Sequence, residues 1–212
     1  MVNVLVVADE VAPELDARRL RRIAPDLVLS AGDLPWDYLE FLASAVDAPL
    51  VFVPGNHDSA IPHGSDHHDR GPLGAINADV NVVEAAGLKI AGLGGCVRYR
   101  DTGPHQYTQQ QYVWRARRLM WRARFAGPVD VLLTHAPPRG LGDGEDRPHV
   151  GIEALHPTLA RLQPAWHLHG HIHPFGQEMP DRQVGPTTVR NVIPWTTLQV
   201  GARSATSLRQ RA

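Results

Sequence analysis

Leu50-Val51-Phe52-Val53-Pro54-Gly55-Asn56-His57-Asp58 places four apolar residues directly before a proline, a glycine and three side chains able to hold a metal or a proton. A short continuous apolar run of this kind suits a strand buried on both faces. Polar groups that follow such a strand must face something that offsets their desolvation. The stretch therefore reads as the end of a core strand opening onto a site.

Working outward, the same design repeats. Residues 2–7 form a β-branched apolar run followed by Asp9, and Leu27-Val28-Leu29 is followed by Gly32-Asp33. Residues 15–23 read as a surface helix, and residues 36–46 carry Trp36, Leu39, Leu42 and Ala43 at helical spacing. This β-α-β-α-β opening predicts a parallel α/β layer with right-handed crossovers.

Beyond it, residues 59–77 and 136–150 read as long loops, rich in Pro and Gly. Residues 80–83 and 88–91 read as two antiparallel strands turning at Ala86-Gly87, and residues 107–125 as a long Arg/Trp-rich helix. Residues 129–133, 166–168, 187–193 and 196–200 supply further strands, with a helix over 152–162. One domain over residues 1–200 and a short basic tail over 201–212 are expected.

Composition excludes several classes. Lys+Arg 21 against Asp+Glu 22 gives a net charge of -1, so no global field draws the chain to a nucleic acid or a membrane, and nucleic acid is not the expected partner. Cys96 is the only cysteine, which rules out an internal disulfide framework and a thiolate zinc site and suits a cytoplasmic setting. The first residues lack a basic n-region and read as a strand rather than a signal peptide. No run approaches the roughly 20 apolar residues that cross a bilayer.

In parallel α/β sheets, ligands bind beyond the carboxyl ends of the strands. Asp9, Asp33, Asn56, His135, His171 and His173 all fall there, after five strand-like runs. Carboxylates and imidazoles without thiolates suit borderline divalent ions: Mn, Fe, Zn, Co or Ni. Two such ions, about 3.5–4 Å apart, clamp a phosphoryl group and generate a hydroxide nucleophile near neutral pH.

Gly32-Asp33, Gly55-Asn56-His57-Asp58, Thr134-His135 and Gly170-His171-Ile172-His173, in that order, resemble the calcineurin-like metallophosphoesterases. The resemblance implies a four-layer α/β/β/α sandwich of two mixed sheets flanked by helices. It implies that Asp9, Asp33 and His173 bind one divalent metal ion, and that Asp33, Asn56, His135 and His171 bind a second. His57 would stabilise the transition state or protonate the leaving alkoxide. A small phosphorylated substrate follows, a phosphodiester ahead of a monoester, while oligomeric state is not legible.

One departure matters. The family's first motif is Asp-x-His, whereas Asp9-Glu10-Val11 puts an alkyl group where an imidazole belongs. The first metal site is expected to be weakened unless Glu10, water or a loop histidine such as His63, His67 or His68 compensates. Val11 is also the best support for the rival reading, a catalytically degenerate scaffold or interaction protein on the same fold.

Several other groups have two readings. Arg98, after Gly94-Gly95, is a candidate for the substrate phosphate, with an ordinary surface arginine as the equal alternative. The cluster His63, Asp66, His67, His68 and Asp69 reads as a solvated loop before a lid or extra metal site. His167 and His169 are expected to pack or to support ligands. Trp114 and Trp121, seven residues apart, are expected to form a core-facing stripe with solvated arginines around it.

Overall fold

Strand β1 (Val2–Val7), helix α1 (Ala17–Ile23), strand β2 (Leu27–Ser30), helix α2 (Trp36–Ala45) and strand β3 (Leu50–Phe52) realise the predicted opening. These elements come from a computed structural model that describes residues 1–60 and 71–203. His63, Asp66, His67, His68 and Asp69, together with residues 204–212 of the expected tail, lie outside the described residues.

The chain continues through β4 (Ala75–Asn77), β5 (Asn81–Ala85), β6 (Leu88–Leu93), β7 (Cys96–Val97), β8 (Gln106–Tyr107) and α3 (Gln109–Ala126). It closes with β9 (Val131–Thr134), α4 (Leu155–Leu162), β10 (Trp166–His169), β11 (Arg182–Val184), β12 (Thr187–Asn191) and β13 (Trp195–Val200).

Two large sheets result, in strand orders β13-β1-β2-β3-β4 and β11-β12-β10-β9-β6-β5. Strands β1 to β4 run parallel and β13 antiparallel to β1. In the second sheet β12, β10, β9 and β6 run parallel, and β11 and β5 pair antiparallel at its two edges. Both sheets are therefore mixed.

Alternation along each strand builds the layers. Val4, Val6, Leu27, Leu29 and Val51 face Ile90, Val131, Leu133 and Leu168 of the other sheet. Their neighbours Leu5, Val7, Val28, Leu50 and Phe52 face the opposite way, onto Leu20 of α1 and Leu39 and Leu42 of α2. Ala91, Leu93 and Leu132 pack outward onto Tyr112, Ala116 and Leu119 of α3 and Leu155 and Leu159 of α4. This is the four-layer sandwich, with an apolar run needed wherever a strand is covered on both faces. Each fully buried Leu or Val stabilises it by about 1.5–3 kcal/mol.

Local chemistry sets the boundaries. Helix α1 starts two residues later than predicted because the Asp16 carboxylate accepts from the Arg19 N–H and caps it. A reciprocal capping box between Thr108 and Gln111 starts α3. Ala86 and Gly87, at φ 49° and 73°, turn the β5–β6 hairpin as expected. The predicted loop over 59–77 ends in a strand, since β4 pairs with β3. Three residues carry too little pattern to be recognised in advance.

The tryptophan stripe is overturned. Tyr112, Ala116, Leu119 and Ala123 form the buried face of α3, whereas Trp114 and Trp121 are 62% and 63% exposed. A seven-residue spacing puts two residues on one face without saying which face is covered. No helix among the described residues is long and apolar enough to cross a membrane.

Candidate metal centre

The carboxyl ends of β1, β2, β3, β9 and β10 meet at one edge of the sandwich, so residues distant in sequence touch. The His171 N–H donates to Asp9 Oδ2 at 2.9 Å, and the His57 N–H donates to Asp33 Oδ1 at 2.7 Å. Asp9, Asp33 and His135 each offer a ligand atom, all within 4.8 Å of one another. Asp9, Asp33 and His171 take φ of 61°, 56° and 68°. Left-handed backbone at non-glycine residues costs about 1–3 kcal/mol each and persists where surrounding structure enforces it.

Two glycines make the close approach feasible. A Cβ on Gly55 would overlap the Asp33 carboxylate, and a Cβ on Gly170 would overlap that of Asp9. Asp58, left without a role by the resemblance, holds this arrangement. Its Oδ2 accepts from the Asp33 N–H at 3.1 Å and the Gly55 N–H at 2.7 Å, joining the β2 and β3 loops.

The ring nitrogens can be assigned from their partners. His135 Nδ1 lies 2.8 Å from the Ala31 carbonyl, and His171 Nε2 lies 2.9 Å from the Pro148 carbonyl. A carbonyl only accepts, so both of these nitrogens carry the proton. The opposite nitrogens, His135 Nε2 and His171 Nδ1, are then bare lone pairs 3.2 Å apart. Asn56 Oδ1 at 3.0 Å and Asp33 Oδ2 at 3.3 Å point at the same His135 Nε2. Tyr99 helps to turn Asn56 this way, its hydroxyl lying 3.3 Å from Asn56 Nδ2.

Four acceptor atoms thus converge with no hydrogen among them unless His135 takes up a second proton. The electrostatics agree. Burial opposes charge on His135, yet the Asp33 and Asp9 carboxylates override it and raise the imidazole to about 9. Burial also pushes Asp33 upward, but His135 and the His57 N–H outweigh it and leave the carboxyl at about 2. Asp9 is raised to about 6 by desolvation, and His171 is lowered to about 3 by desolvation and by its neighbour His135. The cluster favours a cation at its centre, and the donor types fit a borderline divalent metal.

His173 lies on the outer side of Asp9. Its Nδ1 sits 2.9 Å from Glu10 Oε1, which turns Nε2 toward Asp9 Oδ1 at 4.0 Å. Val11 is 46% exposed. Glu10 therefore pairs with the imidazole that follows Ile172.

His57 presents its side chain to solvent and lines a cleft of about 540 Å³ with Asp33, Trp36, Asp37 and Asp58. Exposed Arg98 donates through Nε and Nη2 to the Gln106 carbonyl and through Nη2 to Gln111 Oε1, which orients its guanidinium beside β8. His167 Nε2 lies 2.8 Å from Thr134 Oγ1, and Thr134 donates onward to the Ala136 carbonyl. His169 Nδ1 contacts the Gly170 carbonyl at 3.0 Å, so both histidines brace the turns that carry His135 and His171. Sequence reading missed the parts played by Asp58 and Tyr99, and it named Glu10 as a substitute for the missing imidazole rather than as the partner of His173.

Fold and cluster together define a phosphoesterase class, and the family model for calcineurin-like phosphoesterases matches residues 7–175. The chain belongs to that family, whose chemistry is metal-dependent phosphoester hydrolysis and whose members typically bind divalent metals. It is 24% identical over 171 residues to a lariat debranching enzyme of Schizosaccharomyces pombe, covering 65% of this chain and 36% of that protein. It is 30% identical over 135 residues to a UPF0046 protein of Caenorhabditis elegans, covering 58% of this chain and 45% of that one. The chain spans less than half the length of these curated relatives. A solved structure superposes with a TM-score of 0.67 at 15% identity, covering 95% of this chain and 99% of the other, which supports the fold.

Proposed function

We propose that this chain hydrolyses a phosphoester, a diester in preference to a monoester, with divalent metal ions held at the strand-end cluster. The observation that carries the reading is the convergence of His135 Nε2, His171 Nδ1, Asn56 Oδ1 and Asp33 Oδ2 on one point, where a second proton on His135 or a cation is needed between the acceptors. Those four groups would hold one ion, and Asp33, Asp9 and His173 would hold a second. Bound there, divalent ions supply charge neutralisation at the phosphoryl group and an acidified water as nucleophile.

The chain's own groups do the rest. The Ala31 and Pro148 carbonyls fix which nitrogen each imidazole presents, as outer partners do in metal sites generally. Anchored through its N–H to Asp33, His57 stands at the cleft and delivers a proton to the departing alkoxide, a task suited to an imidazole near neutral pH. The cleft also carries Asp37 and Asp58 beside Asp33. Acidic walls oppose a doubly charged monoester more than a singly charged diester, which supports the preference. Burial pushes the Cys96 thiol up to about 12, so no thiolate competes for metal, and a lone buried thiol is consistent with a cytoplasmic setting.

Turnover of bis-(p-nitrophenyl) phosphate and p-nitrophenyl phosphate with Mn, Ni, Zn and Mg tests the proposal. Wild type should cleave the diester faster, and Asn56→Ala and His57→Ala should each remove most of the rate. Activity that survives both changes overturns the site assignment, and inactivity with every metal returns the reading to a scaffold.

A further inference from the structure

Helix α3 carries Arg115, Arg117, Arg118, Arg122 and Arg124 and no acidic residue, in a chain whose net charge is -1. Arg115 is spent inside the fold, its Nη2 bonding both Asp79 oxygens at 2.7 and 2.8 Å, and Arg122 donates to the Val80 carbonyl at 2.6 Å. Arg117, Arg118 and Arg124 are exposed and form no ion pair among the described residues. They surround Trp114, Trp121 and Phe125, which are 62%, 63% and 71% exposed.

These aromatics are held in place rather than merely uncovered. The Arg117 guanidinium lies 5.3 Å from the Trp114 ring, and Trp121 meets Phe125 edge to face at 5.2 Å. Seven residues of helix separate the two tryptophans by about 11 Å along the axis. Beside them runs a groove of about 490 Å³ whose lining includes Trp114, Arg118, Arg122, Tyr107, His105 and Pro54. Pro54 stands two residues before Asn56, so the groove leads from the aromatic face toward the metal-ligand loop. His105 Nε2 lies 2.9 Å from the Ser59 carbonyl, tying the groove wall to the same loop.

We propose that the outer face of α3 and this groove bind a single-stranded nucleic acid, with bases stacked on Trp114 and Trp121 and phosphates met by Arg117 and Arg118. Every base offers a flat face to an aromatic ring, and unpaired arginines match a repeated anion; together they are the two components of single-strand binding. Trp and Arg also serve as hot spots of protein interfaces, and an acidic protein partner is the alternative that an absence of strand binding would favour. A lipid surface is disfavoured because interfacial helices bury a continuous apolar stripe, whereas Arg117 and Arg118 interrupt this one. Overall charge had argued against such a partner, but charge confined to one helix escapes a whole-chain sum.

The proposal is independent of turnover, because binding is read without catalysis. The experiment is fluorescence anisotropy of wild type with short fluorescein-labelled RNA and DNA strands of one mixed sequence, no divalent metal being added. Phosphatidylserine–phosphatidylcholine vesicles are the parallel probe, by co-sedimentation. Saturable binding of either strand, tighter than of the same sequence as duplex, is expected. Trp114→Ala combined with Trp121→Ala should weaken it by about 10-fold or more. Arg117→Gln combined with Arg118→Gln should reduce the slope of log affinity against log salt by about 1.4. All four side chains are exposed, and both double variants should keep the wild-type circular dichroism spectrum and thermal midpoint. No saturable binding of either strand, affinity unchanged in both variants, or binding to vesicles alone would each overturn the proposal.

Discussion

The two sides of the candidate ligand cluster, which would share Asp33 in the proposed assignment, are built differently. On one side His135 is fully buried and His171 nearly so, and each ring is pinned by a backbone carbonyl. On the other, the His173 side chain is 36% exposed and held by the half-exposed Glu10 carboxylate, and Val11 turns to solvent. The Ala31 carbonyl follows directly on β2 and the Pro148 carbonyl sits in the Arg147–His149 turn, and such main-chain groups have less freedom than a surface carboxylate. The difference teaches that affinity should follow how firmly the partners of the ligands are held, and one tight and one weak metal equivalent are the expected result.

Asp33→Asn strikes both sides at once and should produce the largest effect, removing diester hydrolysis and lowering metal content below one equivalent. Its cost should exceed the roughly 100-fold typical of losing an outer partner. Next, Asn56→Ala should weaken the tight equivalent in calorimetric titration with Mn, while Asp9→Asn should weaken only the other. Equal effects of the two changes on both equivalents would erase the asymmetry.

The third prediction concerns the metal-free chain. His135 is raised from 6.5 to about 9, so its protonated form adds stability that is complete below pH 6.5 and lost as pH rises through 9. The loss should amount to about 3 kcal/mol at most, because the charge shares a buried cluster with Asp33 and Asp9. Thermal midpoints measured between pH 6.5 and 9 should fall without metal and stay flatter with Mn. A metal-free midpoint that rises over this window would contradict the assignment of the cluster's missing charge. The smallest effect is expected of Glu10→Gln, a few-fold weakening confined to the weak equivalent. Val11→His should act in the opposite direction.

Much of the cluster was legible because its members follow strands. A continuous apolar run ending at a polar residue is visible in one dimension, and parallel strands bring such ends together. Asp9, Asp33, Asn56, His135 and His171 could be nominated on that ground before any contact was known. The outer partners could not be, since Ala31, Pro148 and Tyr99 act through a carbonyl or a hydroxyl whose direction depends on distant elements. The tryptophans of α3 failed for a related reason: periodicity groups residues into faces but leaves the covered face to the packing.

By itself the sequence determined the order of most strands and of the four helices, the candidate ligands and the absence of an imidazole at Val11. Those properties rest on local pattern and residue chemistry. Tertiary structure alone decided that Glu10 supports His173, that Asp58 ties two loops together, and that three acceptor atoms meet at His135 Nε2. Such facts depend on the mutual orientation of groups from different strands, which the chain specifies only after the two sheets have packed.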